Sequence, residues 1–138
     1  MVVVMGSPAD KQGRVAGTNN TGGEVRFRGV LGTAITRFQA LELTRTGLTE
    51  REAGAAEFDT FGAITEAPSP AHHHPGCQAR HIKVVAKRKS GRLLGEQSVG
   101  DPGVGKRIDV LITALCNEMS LDDPGGMDRA YLPLFAPV

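Results

Sequence analysis

Tryptophan is absent from this sequence, tyrosine occurs once, and aromatics make up only 4% of residues, so no core can be built around large rings. The core must come from Val, Leu, Ile and Ala, and a small domain of that kind gains from burial against a second copy. No apolar run approaches the ~20 residues that cross a bilayer. The opening MVVVMG is too short for a signal peptide's apolar region and follows no basic residue. The expectation is a soluble, cytoplasmic protein with no membrane partner. Excess charge is also lacking: 16 Lys and Arg stand against 15 Asp and Glu, for a formal net charge of +1. That balance gives no electrostatic case for a nucleic-acid partner. Two cysteines do not make a disulfide framework. No C-x-x-C pair and no G-x-G-x-x-G after a strand is found, so neither a redox dithiol nor a dinucleotide loop is encoded.

Glycine, by contrast, is plentiful at 18 residues in 138, a length that suits one domain. In the first segment Ser7 reads as a helix N-cap, Pro8 as the first helical residue and Asp10 as a first-turn carboxylate. That helix should fade by Asn19–Asn20 and stop at Gly22-Gly23. FQALELTRTG alternates apolar residues and reads as a single strand ending at Gly47. Thr49 with Glu52 three residues later is a capping-box pattern, predicting a short helix. FDTFGAITEA reads as a strand. Residues 80–99 read as a β-hairpin turning at KSG. Ile108, Leu111, Ile112, Leu115 and Met119 recur at helical spacing, predicting an amphipathic helix with one buried stripe. The fold class is therefore α+β, an antiparallel sheet flanked by helices.

The stretch PAHHHPGC, residues 70–77, concentrates chemistry-bearing side chains. In extended backbone His72 and His74 share a face, and with Cys77 they make three candidate metal ligands, but no further ligand spacing accompanies them. The blander reading, a polar exposed loop, is favoured, and no metal site is assigned. Cys77 with a neighbouring histidine is also a conceivable nucleophile pair, lacking any third group to orient the imidazole. Cys116, on the apolar side of its helix, is expected to be a small buried hydrophobe. GDPGVGK at 100–106 invites a phosphate-loop reading, yet its glycine spacing is one residue short and Arg107 stands where Ser or Thr is needed. A strand-to-helix connector is the better reading.

Three blocks in order, GSPADKQGRVAGTNNTGG, GVLGTAITRFQALELTRTGLTEREA and HIKVVAKRKSGRLLGEQSVGDPGVGKRIDVLITAL, together resemble the C-terminal part of the flavin-dependent pyridine nucleotide-disulfide oxidoreductases. The branch resembled is that of NADH oxidases, NADH peroxidases and coenzyme A-disulfide reductases. The resemblance implies that residues 1–23 correspond to the last helix of an FAD domain, with Ser7, Pro8, Ala9 and Asp10 at its flavin-facing start. It implies that residues 24–138 are the dimerisation domain. The family's FAD-binding motif, redox cysteine and NAD domain are missing here, so the chain alone is expected to bind neither FAD nor NAD(P)H, the parent family's cofactors, and not to be catalytic by itself. In the family a loop carrying HYYPG supplies a tyrosine to the partner subunit's active site. The matching stretch here is HHHPG, with His73 and His74 at the tyrosine positions. AYLPLF resembles the family's C-terminal AYAPPF and retains Tyr131. His73, His74 and Tyr131 are thus the implied catalytic residues, acting in trans. Histidine exchanges protons near neutral pH, where tyrosine, with a pKa of ~10, mostly donates. DDPGG stands where the family has a short helix, and its proline and glycines are expected to break it. A homodimer is the implied assembly. Pairing with an intact reductase subunit, or supplying residues in trans to a separate FAD/NAD-binding chain, is the alternative.

Overall fold

The computed structural model describes residues 6–68 and 79–128. The chain divides into two compact units, Met1–Gly32 and Thr33–Val138. In the first, helix α1 spans Gly6–Asn20. The helix is already formed at Gly6, so Ser7 is not its N-cap, and Asp10 lies past the first turn. Pro8 is tolerated because it still falls among the early residues, whose N–H groups have no intrahelical acceptor. After the helix, Gly22 turns through φ +91. Asn19 then holds Val25 by both its backbone groups, donating to the carbonyl at 2.9 Å and accepting from the N–H at 2.8 Å.

The second unit is built on five strands: β1 Ala34–Phe38, β2 Leu41–Gly47, β3 Thr60–Pro68, β4 Ala79–Lys87 and β5 Leu93–Gly100. All pairings are antiparallel and the order is β1-β2-β5-β4-β3. The expected hairpin is β4–β5, with a register shift at Val85/Ala86. The expected single strand at FQALELTRTG is instead the second half of a hairpin. Phe38 and Leu41 face each other across a two-residue turn in which Gln39 takes φ +54. Glutamine is an unusual occupant of that left-handed position, which is why the turn carries no sequence signal.

Helix α2, Glu50–Ala55, has the predicted capping box: Thr49 Oγ1 accepts from the Glu52 N–H, and the Glu52 carboxylate accepts from the Thr49 N–H at 2.8 Å. Helix α3, Val104–Cys116, packs on β2 and β5. Its buried side turns Val104, Ile108 and Ala114 inward, and these with Ala53, Val85, Ala86 and Leu93 are the small aliphatic buried residues expected of a chain poor in rings. Cys116 is exposed, contrary to expectation, because it closes the last turn of α3, where the buried stripe has run out.

After α3, residues 119–121 return alongside the start of β5, with Leu93 donating to the Met119 carbonyl at 2.9 Å and Leu121 to that of Gly91 at 3.0 Å. A helical turn, α4, then forms at Asp122–Gly125, where DDPGG was expected to break a helix. Pro124 sits in the first turn, where a missing N–H costs nothing. Asp123 steadies the turn by accepting from the Ser120 N–H at 2.7 Å and its hydroxyl at 2.9 Å.

Candidate functional site

One end of the sheet gathers the ends of every strand that the functional reading concerns. Glu42 near the start of β2 pairs with Gly100 at the end of β5, His81 near the start of β4 pairs with Val99, and Pro68 at the end of β3 pairs with Ala79. The connection that carries the histidines therefore leaves and re-enters the sheet through a directly paired couple. His72, His73, His74 and Cys77 themselves, and Tyr131, lie outside the described residues. Among the described residues no group of His, Cys, Asp and Glu could hold a metal ion.

The chemistry of this end is ionic. Arg80, two residues into the chain after the histidine connection, is 5% exposed. Its Nε donates to Asp101 Oδ1 at 2.8 Å. A side chain at position 100 would collide with it: a Cβ on Gly100 would lie 2.7 Å from Arg80 Cγ and 2.9 Å from Val104 Cγ2. Gly100 is thus the gap through which the arginine stem passes to reach Asp101. Gly103 turns the chain through φ +108 into α3.

The start of α3 answers the question raised by GDPGVGK. Its first amides point outward with no side-chain cap from their own neighbourhood. Glu42, arriving from β2, fills the place: Oε2 accepts from Gly103 N–H at 2.9 Å and Gly105 N–H at 3.0 Å. Those two bonds hold the Glu42 carboxyl below its ordinary value of 4.5, with Arg37 adding a smaller pull. A helix N-terminus attracts anions, and here the anion is part of the protein. The backbone amides that a dinucleotide's pyrophosphate would need are already taken, so this loop is a connector and does not fit a flavin or nicotinamide phosphate.

Of the implied flavin-facing residues, Pro8 is buried while Ser7, Ala9 and Asp10 are exposed, and Asp10 pairs with Arg14 at 3.2 Å one turn on. They lie in the first unit. Sequence reasoning missed the Arg80–Asp101 pair and the Glu42 cap, because each joins positions distant in the chain. The only available signal was the run of glycines at 100, 103 and 105, each of which makes room for one of these contacts.

On the face of the sheet away from α3, Phe38, Leu41 and Leu43 stand exposed, Phe38 at 67%. Register places them on one side: Phe38 opposes Leu41, and Leu43 opposes Val99. Among the described residues no helix is long and apolar enough to cross a membrane.

Comparison with known proteins gives these features a setting. Residues 33–137 match the family described as "Pyridine nucleotide-disulphide oxidoreductase, dimerisation domain". The chain is 40% identical over 136 residues to the NAD(P)H sulfur oxidoreductase (CoA-dependent) of Pyrococcus abyssi, covering 99% of this chain and 30% of that protein. It is likewise 40% identical over 136 residues to the NAD(P)H coenzyme A polysulfide/persulfide reductase of Pyrococcus horikoshii, with the same shares. A solved NAD-dependent persulfide reductase from A. fulgidus superposes with a TM-score of 0.95 at 38% identity, over 99% of this chain and 25% of that one. The α+β fold and the resemblance read from the sequence are both borne out, and the chain spans less than a third of these relatives.

Proposed function

Because this chain belongs to the pyridine nucleotide-disulphide oxidoreductases, whose dimerisation domain it carries, we propose that it works by pairing with a second copy of itself and has no catalysis of its own. The observation that carries this reading is the match of residues 33–137, which hold the five-stranded sheet and α3, to the family's dimerisation domain. The exposed Phe38, Leu41 and Leu43 supply apolar surface whose removal from water favours association.

Within that assembly residues 1–23 are a remnant of an FAD domain's last helix and residues 24–138 the pairing domain. His73, His74 and Tyr131 are offered to the partner, with the histidines moving a proton where the family uses tyrosine. FAD and NAD(P)H are cofactors of the parent enzymes. Ser7, Pro8, Ala9 and Asp10 face a flavin only when an FAD domain is supplied. The setting is the cytoplasm.

The test is the solution mass of the purified chain by light scattering across a dilution series. A dimer persisting to low micromolar concentration is expected. A monomer at every concentration overturns the reading and moves a second one ahead: that the chain completes a separate FAD/NAD-binding polypeptide in trans, giving a flavin-dependent reductase. That second reading requires disulfide-reductase or NADH oxidase activity to arise on mixing and to fall in His73→Ala, His74→Ala and Tyr131→Phe variants.

A further inference from the structure

Glu96 takes no part in the α3 cap or in the ion pair of the sheet end. It sits in the middle of β5, the central strand, with Thr46 of β2 on one side and Val84 of β4 on the other. Alternation along β5 puts Glu96 on the same face as Ser98 and Gly100, and a Cβ at Gly100 would meet Val104 of α3. Glu96 is therefore under the helix side of the sheet, and it is 2% exposed. Its Oε2 has no hydrogen-bond partner. A carboxylate in that position, desolvated and without a cation, is among the costliest groups a small core can hold.

The neighbours do not relieve it. On β4 its flanking residue on this face is Val84, and on β2 and β5 the flanking groups are hydroxyls, with Thr44 Oγ1 and Ser98 Oγ 2.6 Å apart and Thr46 Oγ1 bonded to Thr33 Oγ1 at 2.8 Å. Charged groups on the same face are Arg37 of β1, Glu42 of β2 and Arg80 of β4, and all belong to the sheet end beyond Ser98. Glu42 is committed to α3's amides and Arg80 to Asp101. On α3, Lys106 reaches Asp109 at 3.2 Å on the exposed side, and Arg107 is half-buried in the first turns. Burial is the leading influence on the Glu96 proton and raises its affinity, opposed only by the Ser98 hydroxyl; no charged group figures.

We propose that Glu96 is a proton-operated latch between the sheet and α3: as the neutral acid it lets the helix seat on β2 and β5, and as the carboxylate it draws water under the helix and loosens it. The direction follows from linkage. The folded state holds the Glu96 proton to higher pH than the unfolded chain does. The stability it protects is thus complete below the unfolded value near 4.5 and is lost as pH rises through the folded value. In that window one extra proton bound by the folded state changes the unfolding constant by up to about tenfold per pH unit.

The experiment compares urea unfolding of the full chain and of Glu96→Gln from about pH 5 to about pH 8, with hydrogen exchange of α3 amides read against those of β4. In the unaltered chain the midpoint should fall across the window and α3 should lose protection before β4. In Glu96→Gln the fall and the α3-specific loss should both be absent. Equal pH slopes in the two proteins, or α3 and β4 losing protection together, overturn the proposal. If Glu96→Gln does not fold, the carboxyl carbon resonance of Glu96 in the unaltered chain decides: titration alongside exposed glutamates overturns the latch, and titration above them supports it.

Discussion

Glu42 caps a helix whose N-cap residue, Gly103, lies 61 residues later, its Oε2 accepting from Gly103 N–H at 2.9 Å as well as from Gly105. The contact ties β2 to α3 and neutralises the partial positive charge at the helix start. Glu42→Ala should cost about 1 kcal/mol, the scale of a lost N-cap, measured by urea midpoint. The carboxyl is held below 4.5, so its contribution is present above that value and lost as pH falls through the folded one. Glu42→Ala should therefore show a shallower loss of stability in acid than the parent chain.

The capping box at α2 makes a parallel case with a larger shift. Hydrogen bonds from Thr49, first from its backbone, hold Glu52 at about 2, with help from Arg45. Thr49→Ala should cost about 1 kcal/mol, and Glu52→Gln should remove stability at neutral pH while leaving little further loss between pH 4.5 and 2. A pH titration of the denaturation midpoint for both variants checks it.

Two glycines hold the crossing of β2 and β5. A Cβ at Gly95 would lie 2.0 Å from the Leu48 carbonyl oxygen, and one at Gly47, with φ +66, 2.2 Å from that of Leu94. Backbone meets backbone in both cases, so nothing can step aside. Alanine at either position should cost about 3 kcal/mol or more. Gly54, inside α2 with nothing within 4 Å, should do the reverse. Alanine there should stabilise by roughly 0.5–1 kcal/mol. Thermal or urea midpoints of the three variants give the comparison.

The buried Arg80–Asp101 pair should respond asymmetrically. Asp101→Ala leaves a buried guanidinium without its carboxylate and should cost about 3–5 kcal/mol, whereas replacing both partners by apolar residues of similar volume should recover much of that loss. A double-mutant cycle on Arg80→Met and Asp101→Leu measures the coupling.

What could be read from the chain was what is local. The β4–β5 hairpin, the Thr49–Glu52 box and the stripe of α3 each rest on residues within a few positions of one another. The β1–β2 hairpin escaped because Gln39 occupies a left-handed turn position without the usual Gly or Asn. Cys116 was misjudged by one turn of helix, since periodicity marks a face and not where the covering sheet ends. No local pattern marks Glu42, Arg80 or Glu96. What sets them apart is the pairing of β5 between β2 and β4, which no window of sequence contains. The histidine stretch stood out by composition, and its function still rests on the family resemblance and on the anchored ends at Pro68 and Ala79.

The central place of β5 also bears on how the domain is made. Among the described residues it is the last strand and the only one that touches both β2 and β4. A ribosome synthesising this protein holds two separate hairpins with open inner edges until residues 93–100 emerge. Until then those edges are exposed to other nascent chains. A transcript cut short between β4 and β5 yields no reduced version of the domain, only two ribbons, each too small to stand alone in water.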